Sequence, residues 1–235
     1  PYRLAFLVYA MQVKMFQLFT GFSSMEANLI ASGVSYRAKT EKEPETYNAI
    51  RSVNIWNFEK MKTPVEGTNN WNIQTHHWLK YYIMLRLMDR SKPRGKIQVG
   101  PLVVTFLVSA YWHGFFFGYY GFFTGLGLVD FTWRVVPQTA LAQRFAAMLP
   151  PVVCTALNRV LCQLSISYFG MAFVYMHMDA SLKLWRAYGY LGHWLLPAIT
   201  IAAMFMPKAR DPKAAPAKDK VGAEASAKAQ DTGEA

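Results

Sequence analysis

From Pro101 to Val129 the chain passes 29 residues without one Asp, Glu, Lys or Arg. About 20 apolar residues let a helix cross the ~30 Å hydrocarbon core of a bilayer. A run this long therefore predicts a membrane helix, since lipid leaves backbone polar groups no partner outside a helix or a closed barrel. Three other stretches read the same way. Leu4–Phe22 carries one charge, Lys14, which is expected to face a cavity or to snorkel. Phe145–Met178 is apolar apart from Arg159 and His177, and Ala187–Met206 is a clean span of about 20 residues holding His193 and Trp194.

The rest of the chain is of another kind. Ser23–Lys80 is polar and mixed in charge, and predicts an extramembrane or interfacial stretch with short helices. Thr75–Met88 is apolar but short, as an interfacial helix is, and Trp71, Trp78, Tyr81 and Tyr82 supply rings suited to headgroup level. From Pro207 the composition collapses to Ala, Lys, Asp, Glu, Gly and Pro, so 207–235 is expected to be a disordered basic tail. The expected division is thus 1–206, a membrane region, and 207–235, the tail. With 53% hydrophobic and 17% charged residues against an ordinary ~25% charged, the chain is neither a disordered protein nor a disulfide-stapled secreted module. Cys154 and Cys162 sit in an apolar segment without zinc-ligand spacing and read as small core hydrophobes. The chain opens on Pro1 and enters an apolar helix at once, the expectation for a portion lacking its first helices.

The net charge of +11 would suggest nucleic acid in a soluble protein. Here the aromatics lie in apolar runs and do not interleave with the basic residues, so no nucleic-acid partner is expected. The cations gather in Arg86–Lys96, five positive to one negative, and in Lys208–Lys220. That pattern predicts two cytoplasmic segments beside an anionic leaflet. The crossings between them must then be even in number, yet three apolar blocks intervene. Either Phe145–Met178 crosses twice or one block is broken.

His113 is the one ionisable side chain in the uncharged run. On a continuous helix it shares a face with Ser109, Phe117, Tyr120 and Thr124. Gly114, Gly118, Gly121 and Gly125 form a second, smooth stripe that admits a close neighbour or a lipid chain. Two readings stand side by side: a general base, since neutral imidazole takes a proton near pH 7, or a histidine hydrogen-bonded to a neighbouring helix. A second constellation, Trp71-Asn72-Ile73-Gln74-Thr75-His76-His77-Trp78, precedes a short apolar helix. Asn72 and Thr75 fit a helix cap as well as they fit a site. His76 and His77 are adjacent, point about 100° apart, and do not form an i, i+4 metal pair. No metal site is read.

At these residues the chain resembles the membrane-bound O-acyltransferase superfamily, most of all its lysophospholipid acyltransferase branch. The resemblance rests on Trp71-Asn72-Ile73-Gln74-Thr75-His76-His77-Trp78-Leu79 and, some forty residues on, Ser109-Ala110-Tyr111-Trp112-His113-Gly114-Phe115-Phe116-Phe117-Gly118-Tyr119-Tyr120. Ser24-Met25-Glu26-Ala27 and Arg51-Ser52-Val53-Asn54-Ile55-Trp56 fit the same branch. It covers roughly Pro1–Phe205. It implies an all-α, polytopic membrane bundle, of which this chain is the C-terminal portion, located in the endoplasmic reticulum with its tail cytoplasmic. It also implies transfer of an acyl group from acyl-CoA, a co-substrate and not a cofactor, to a lysophospholipid hydroxyl.

The family's residue pair carries over as Asn72 and His113. Trp71, Thr75, Ser109, Gly114, Gly118, Tyr120 and Thr124 are the candidates for the substrate channel. Arg86, Arg90, Lys92, Arg94 and Lys96 are candidates for the CoA phosphates, or serve topology alone. Phe115-Phe116-Phe117 stands where the family often has His or Arg. Two alternatives stay open: another acceptor (a sterol, diacylglycerol or protein), or a transporter element using His113 for proton passage.

Overall fold

Methionine and leucine at four-residue spacing give the first helix its inward face. The computed structural model describes residues 2–41, 43–92 and 98–209. Helix α1 (Tyr2–Ala31) runs well past Phe22, where the apolar stretch ends. Leu7, Met11, Met15 and Phe19, each one turn apart, are buried. They pack on α9 (Pro151–Tyr175), where Gly170 leaves room: a Cβ there would lie 2.7 Å from Met11 Sδ. Lys14 lies on the same side and is half-buried.

The polar stretch forms two short helices, α2 (Ile55–Glu59) and α3 (Pro64–Asn70). Asn54 Oδ1 accepts the Asn57 amide at 3.1 Å, and Thr63 Oγ1 accepts that of Glu66 at 3.2 Å. Pro64 follows Thr63 at the first helical position, where its missing N–H costs nothing. A continuous helical rod comes next: α4 (Ile73–Trp78), a π-helical turn (Leu79–Met84) and α5 (Leu85–Leu87). A short helix expected over 75–88 is thus present, two residues early.

The uncharged run is two helices, not one. Helix α6 (Val99–His113) ends where Gly114 takes φ +114, a conformation that side-chain-bearing residues rarely adopt, and α7 (Phe117–Val135) returns antiparallel. His113 therefore sits at a hairpin tip and not at mid-span. The stripe joining it to Phe117, Tyr120 and Thr124 does not exist as one helix face. Length and lack of charge cannot distinguish one long helix from a hairpin; the glycine after the histidine was the break.

Two other expected spans are shorter than read. Phe145–Met178 divides at Met148–Pro150 between α8 (Ala140–Ala147) and α9. Ala187–Met206 loses its first turn, because Gly189 and Tyr190 are left-handed (φ +59 and +52), and α11 begins at Leu191 and ends at Phe205 before Pro207. The amphipathic α10 (Met178–Ala187) lies between α9 and α11. Among the described residues, three apolar helices, α6, α9 and α11, follow the basic loop, together with α7, which is more mixed and carries Asp130 and Arg134. Both Pro101–Val129 and Phe145–Met178 are therefore broken blocks. By length and hydropathy, Leu4–Ala31 and Pro151–Tyr175 suffice to cross a membrane; α6 and α11, at 15 residues, are shorter apolar helices.

The centre of the bundle is α7 against α9. A Cβ on Gly118 would strike the Ala172 carbonyl and come within 2.6 Å of Met176 Cα, one on Gly121 would lie 2.9 Å from the Trp185 ring, and one on Gly125 would run into Phe169. Three members of the glycine stripe are thus packing positions, and Gly114 stands apart at the turn. Helix α11 joins this pair through Thr132 and Thr200, whose hydroxyls are 2.6 Å apart and buried. The basic residues Arg94 and Lys96, and the tail from residue 210 for which disorder is expected, lie outside the described residues.

Substituting Gly118 by Ala should lower the thermal midpoint of the detergent-solubilised protein, because overpacking costs about 1–3 kcal/mol and here backbone must move. Gly21→Ala, with open space at its Cβ, should be neutral or stabilising, by up to about 1 kcal/mol of helix propensity. Equal melting of the two variants would refute the close α7–α9 packing.

Candidate functional site

Asn72 owes its position to backbone, not to its side chain. Trp71 precedes it, in an aromatic cluster with Phe22 (5.1 Å between ring centroids), Phe58 (5.2 Å) and Phe19 (5.6 Å). The chain then turns at Asn72, which adopts φ 42, ψ 55, the left-handed conformation that Asn tolerates better than most residues. Its carbonyl accepts the His76 amide at 2.9 Å and so starts α4. Its side chain makes no cap bond and has no hydrogen-bond partner among the described residues. The amide of Asn72 is therefore half-buried and uncommitted. Thr75 is inside α4 and caps nothing.

Three stretches far apart in sequence meet behind this turn. Glu26 Oε1 accepts the backbone amides of Ser52 and Val53 (3.0 Å for the latter). Ser52 O accepts the Ile73 amide at 2.8 Å, Gln74 Nε2 donates to Arg51 O at 3.2 Å, and Asn54 N donates to Asn70 O at 2.9 Å. The motif stretches 24–27, 51–56 and 71–79 are thus one assembly.

His113 closes α6, with Ser109 buried one turn before it on the same face. Its ring packs against Phe123 (5.1 Å), Phe173 (5.3 Å) and Tyr119 (5.4 Å), while the residue as a whole is exposed. The tip is tied to the end of α9. Gly118 N donates to Met176 O at 2.8 Å, Tyr119 Oη donates to Met176 Sδ at 3.4 Å, and Phe116 packs on the His177 ring at 5.6 Å. Met176 itself is left-handed (φ 60).

The two constellations meet at the rings of Trp78 and Trp112, 5.8 Å apart, and the π-helical turn after Trp78 packs along α6. Trp78 ends the helix that Asn72 begins, and Trp112 is the neighbour of His113. Asn72 and His113 make no direct hydrogen bond. Trp71, Asn72, Thr75, Ser109, His113 and Gly114 belong to these two segments. Gly118 does not line the same space, since it packs on α9. Tyr120 and Thr124 face another way, into a groove of about 390 Å³ shared with Leu107, Phe169, Trp185 and His193.

Of the basic candidates, Arg86, Arg90 and Lys92 lie towards the far end of the rod. Arg86 is 14 residues beyond Asn72, roughly 20 Å along the helix. Arg86 lies over the Tyr82 ring at 5.1 Å, Lys92 is 3.8 Å from Asp89, and Arg90 is exposed.

Two features escaped the sequence reading. Asp130 is buried and accepts from Arg134 Nε at 2.6 Å; the i, i+4 spacing of opposite charges was the available signal. His193, read only as part of a span, has Nδ1 2.8 Å from Tyr168 Oη, and its ring is 4.5 Å from that of Trp185. Nothing in the local sequence pairs residues 25 apart on different helices.

The chain is a helical membrane-type bundle built around an Asn-bearing turn and a His-bearing hairpin tip. Residues 2–175 match the family model of the membrane-bound O-acyltransferases, and the chain belongs to that membrane-bound family. It is 27% identical over 201 residues to lysophospholipid acyltransferase 1 of Arabidopsis thaliana, covering 84% of this chain and 42% of that protein. It is 26% identical over 210 residues to human membrane-bound glycerophospholipid O-acyltransferase 1, covering 89% and 40%. It is 24% identical over 198 residues to the lysophospholipid acyltransferase of Saccharomyces cerevisiae, covering 82% and 32%. The chain thus spans about two fifths or less of the length of these relatives.

Burial first, then the like charges of His77 and Lys80, holds the His76 imidazole below its ordinary 6.5. The folded state therefore resists a proton that the unfolded chain accepts. His76 contributes stability that is present above the unfolded value and lost as pH falls through the folded one. Melting curves between about pH 7.5 and pH 5 should fall more steeply for the native chain than for His76→Gln. Parallel curves would contradict the burial of this ring.

Proposed function

We propose that this chain carries the reaction centre of a lysophospholipid acyltransferase, which moves an acyl group from acyl-CoA to the free hydroxyl of a lysophospholipid. In this reading the His113 imidazole takes the hydroxyl proton as the oxygen attacks the thioester carbonyl. The C–O bond forms, the C–S bond breaks, and CoA leaves as the thiol with the proton returned from the imidazolium. General-base assistance of this kind contributes about 10²–10⁴-fold in rate. Asn72 has both a donor and an acceptor to offer, and orients the hydroxyl or stabilises the carbonyl oxyanion. Since a thioester is already activated, direct transfer suffices, and holding the two reactants in line supplies the larger share, up to about 7–11 kcal/mol.

The observation that carries the reading is the Trp78–Trp112 contact, which joins the two signature segments at the hairpin tip in a family whose relatives include named lysophospholipid acyltransferases. The uncommitted Asn72 amide and the exposed, aromatic-walled His113 ring support it as groups held ready for a substrate. Arg86, Arg90 and Lys92 stand at the other end of the rod. There Arg86, Arg90 and Lys92, with Arg94 and Lys96, would hold the CoA phosphates in water while the pantetheine arm runs along α6 towards His113. Such an arrangement suits two reactants, one charged and one oil-soluble, meeting in an endoplasmic reticulum membrane with residues 207–235 cytoplasmic. Residues 1–206 form the acyltransferase region in this reading.

Membranes carrying His113→Ala should release thiol from acyl-CoA at least 10²-fold more slowly at unchanged protein level. Asn72→Gly keeps the left-handed backbone and removes only the amide, so it should slow turnover without lowering abundance. Asn72→Ala should add a backbone penalty of about 1–2 kcal/mol. A panel of lysophospholipids, a sterol, diacylglycerol and a protein acceptor should show turnover with lysophospholipid alone; normal turnover by His113→Ala would discard the base assignment.

A further inference from the structure

We infer that Glu26 is a positioning residue: its carboxylate, acting through two backbone segments, fixes the left-handed turn that presents the Asn72 amide. The inference rests on the reading of Asn72 given above. Glu26 stands on the last stretch of α1, 46 residues before Asn72, and its hydrogen bonds go to Ser52 and Val53, not to Asn72 or His113. One of its oxygens, Oε1, accepts both the Ser52 and the Val53 amide. A carboxylate oxygen serving two adjacent amides is a charge-assisted fork and pins the peptide plane between them. The next link leaves from that same segment: Ser52 O accepts the Ile73 amide at 2.8 Å, one residue after Asn72. Arg51 O holds Gln74 Nε2 at 3.2 Å, and Asn54 N holds Asn70 O at 2.9 Å, so the turn is gripped on both sides.

Side chains of the 52–53 segment do not do this work. The Ser52 hydroxyl is buried and has no hydrogen-bond partner among the described residues, and Val53 only fills the core. The segment is held by its backbone, and Glu26 is the side chain that holds it. Asn72 needs such a grip. Its left-handed φ and ψ are unfavourable for most residues, and its own side chain makes no local bond that would stabilise the turn. Freed from the 52–54 segment, the residue would relax towards the ordinary helical or extended regions and swing its amide away.

The decisive comparison is Glu26→Ala against Glu26→Gln in membranes carrying the whole chain. Gln keeps an acceptor oxygen at the same reach, while Ala removes it. Glu26→Ala should lower kcat about 10²-fold, the cost of displacing a reacting group by ~1 Å, with KM little changed. Glu26→Gln should restore most of that kcat. In parallel, hydrogen exchange at the amides of Ser52, Val53, Ile73 and His76 should quicken in Glu26→Ala and stay near native in Glu26→Gln. The exchange readout does not depend on the role of Asn72. If Asn72→Gly keeps full activity while exchange still quickens in Glu26→Ala, the role given to Asn72 fails and the clamp stands. Unchanged exchange in Glu26→Ala, faster exchange with unchanged kcat, or a Gln variant as impaired as Ala would each overturn the inference.

Discussion

The approach of α7 to α9 at Gly118, Gly121 and Gly125 sets everything else. Gly118 lets α7 meet the backbone of α9 at Ala172 and Met176, Gly125 makes room for the Phe169 ring of α9, and Gly121 for the Trp185 ring of α10. Between helices in lipid there is little hydrophobic drive, so packing of this kind supplies the association. It also fixes which way the chain must turn after His113. With α7 seated on α9, the hairpin tip can only lie beside the end of α9, where Met176 takes the Gly118 amide and Phe173 walls the histidine ring.

A second scaffold approaches that tip from the other side. Helix α1 packs on the same α9 through Leu7, Met11, Met15 and Phe19 and carries Glu26 to the 52–53 segment, which in turn holds the start of α4. Both scaffolds refer to one helix, so the Asn-bearing turn and the His-bearing tip are placed in a common frame without touching each other. The Trp78–Trp112 contact is where the frames meet. The rod carries Arg86 roughly 20 Å from Asn72.

Helix class, the division of polar and apolar stretches and the two signature segments were legible because they depend on composition and near-neighbour spacing. The hairpin was not, since a run without charge carries no mark of direction; only Gly114 signalled it, and a glycine inside an apolar stripe reads equally as packing. The placement of Tyr120 and Thr124 failed for the same reason, as their shared face with His113 presumed an unbroken helix. The clamp at Glu26 was out of reach because its partners are backbone amides, which every sequence has. The Tyr168–His193 pair depends on how α9 and α11 cross, and no local pattern encodes that.

The central claim is that the turn at residue 72 and the tip at residue 113 belong to one site, joined at Trp78 and Trp112. Its most direct test is chemical cross-linking in native membranes of Trp78→Cys/Trp112→Cys, with Cys154 and Cys162 replaced by Ala, using a short bis-thiol reagent. The account predicts efficient intramolecular linkage of this pair and none for a control pair between residue 86 and residue 112. Failure of 78 and 112 to link, while the control pair links, would contradict it.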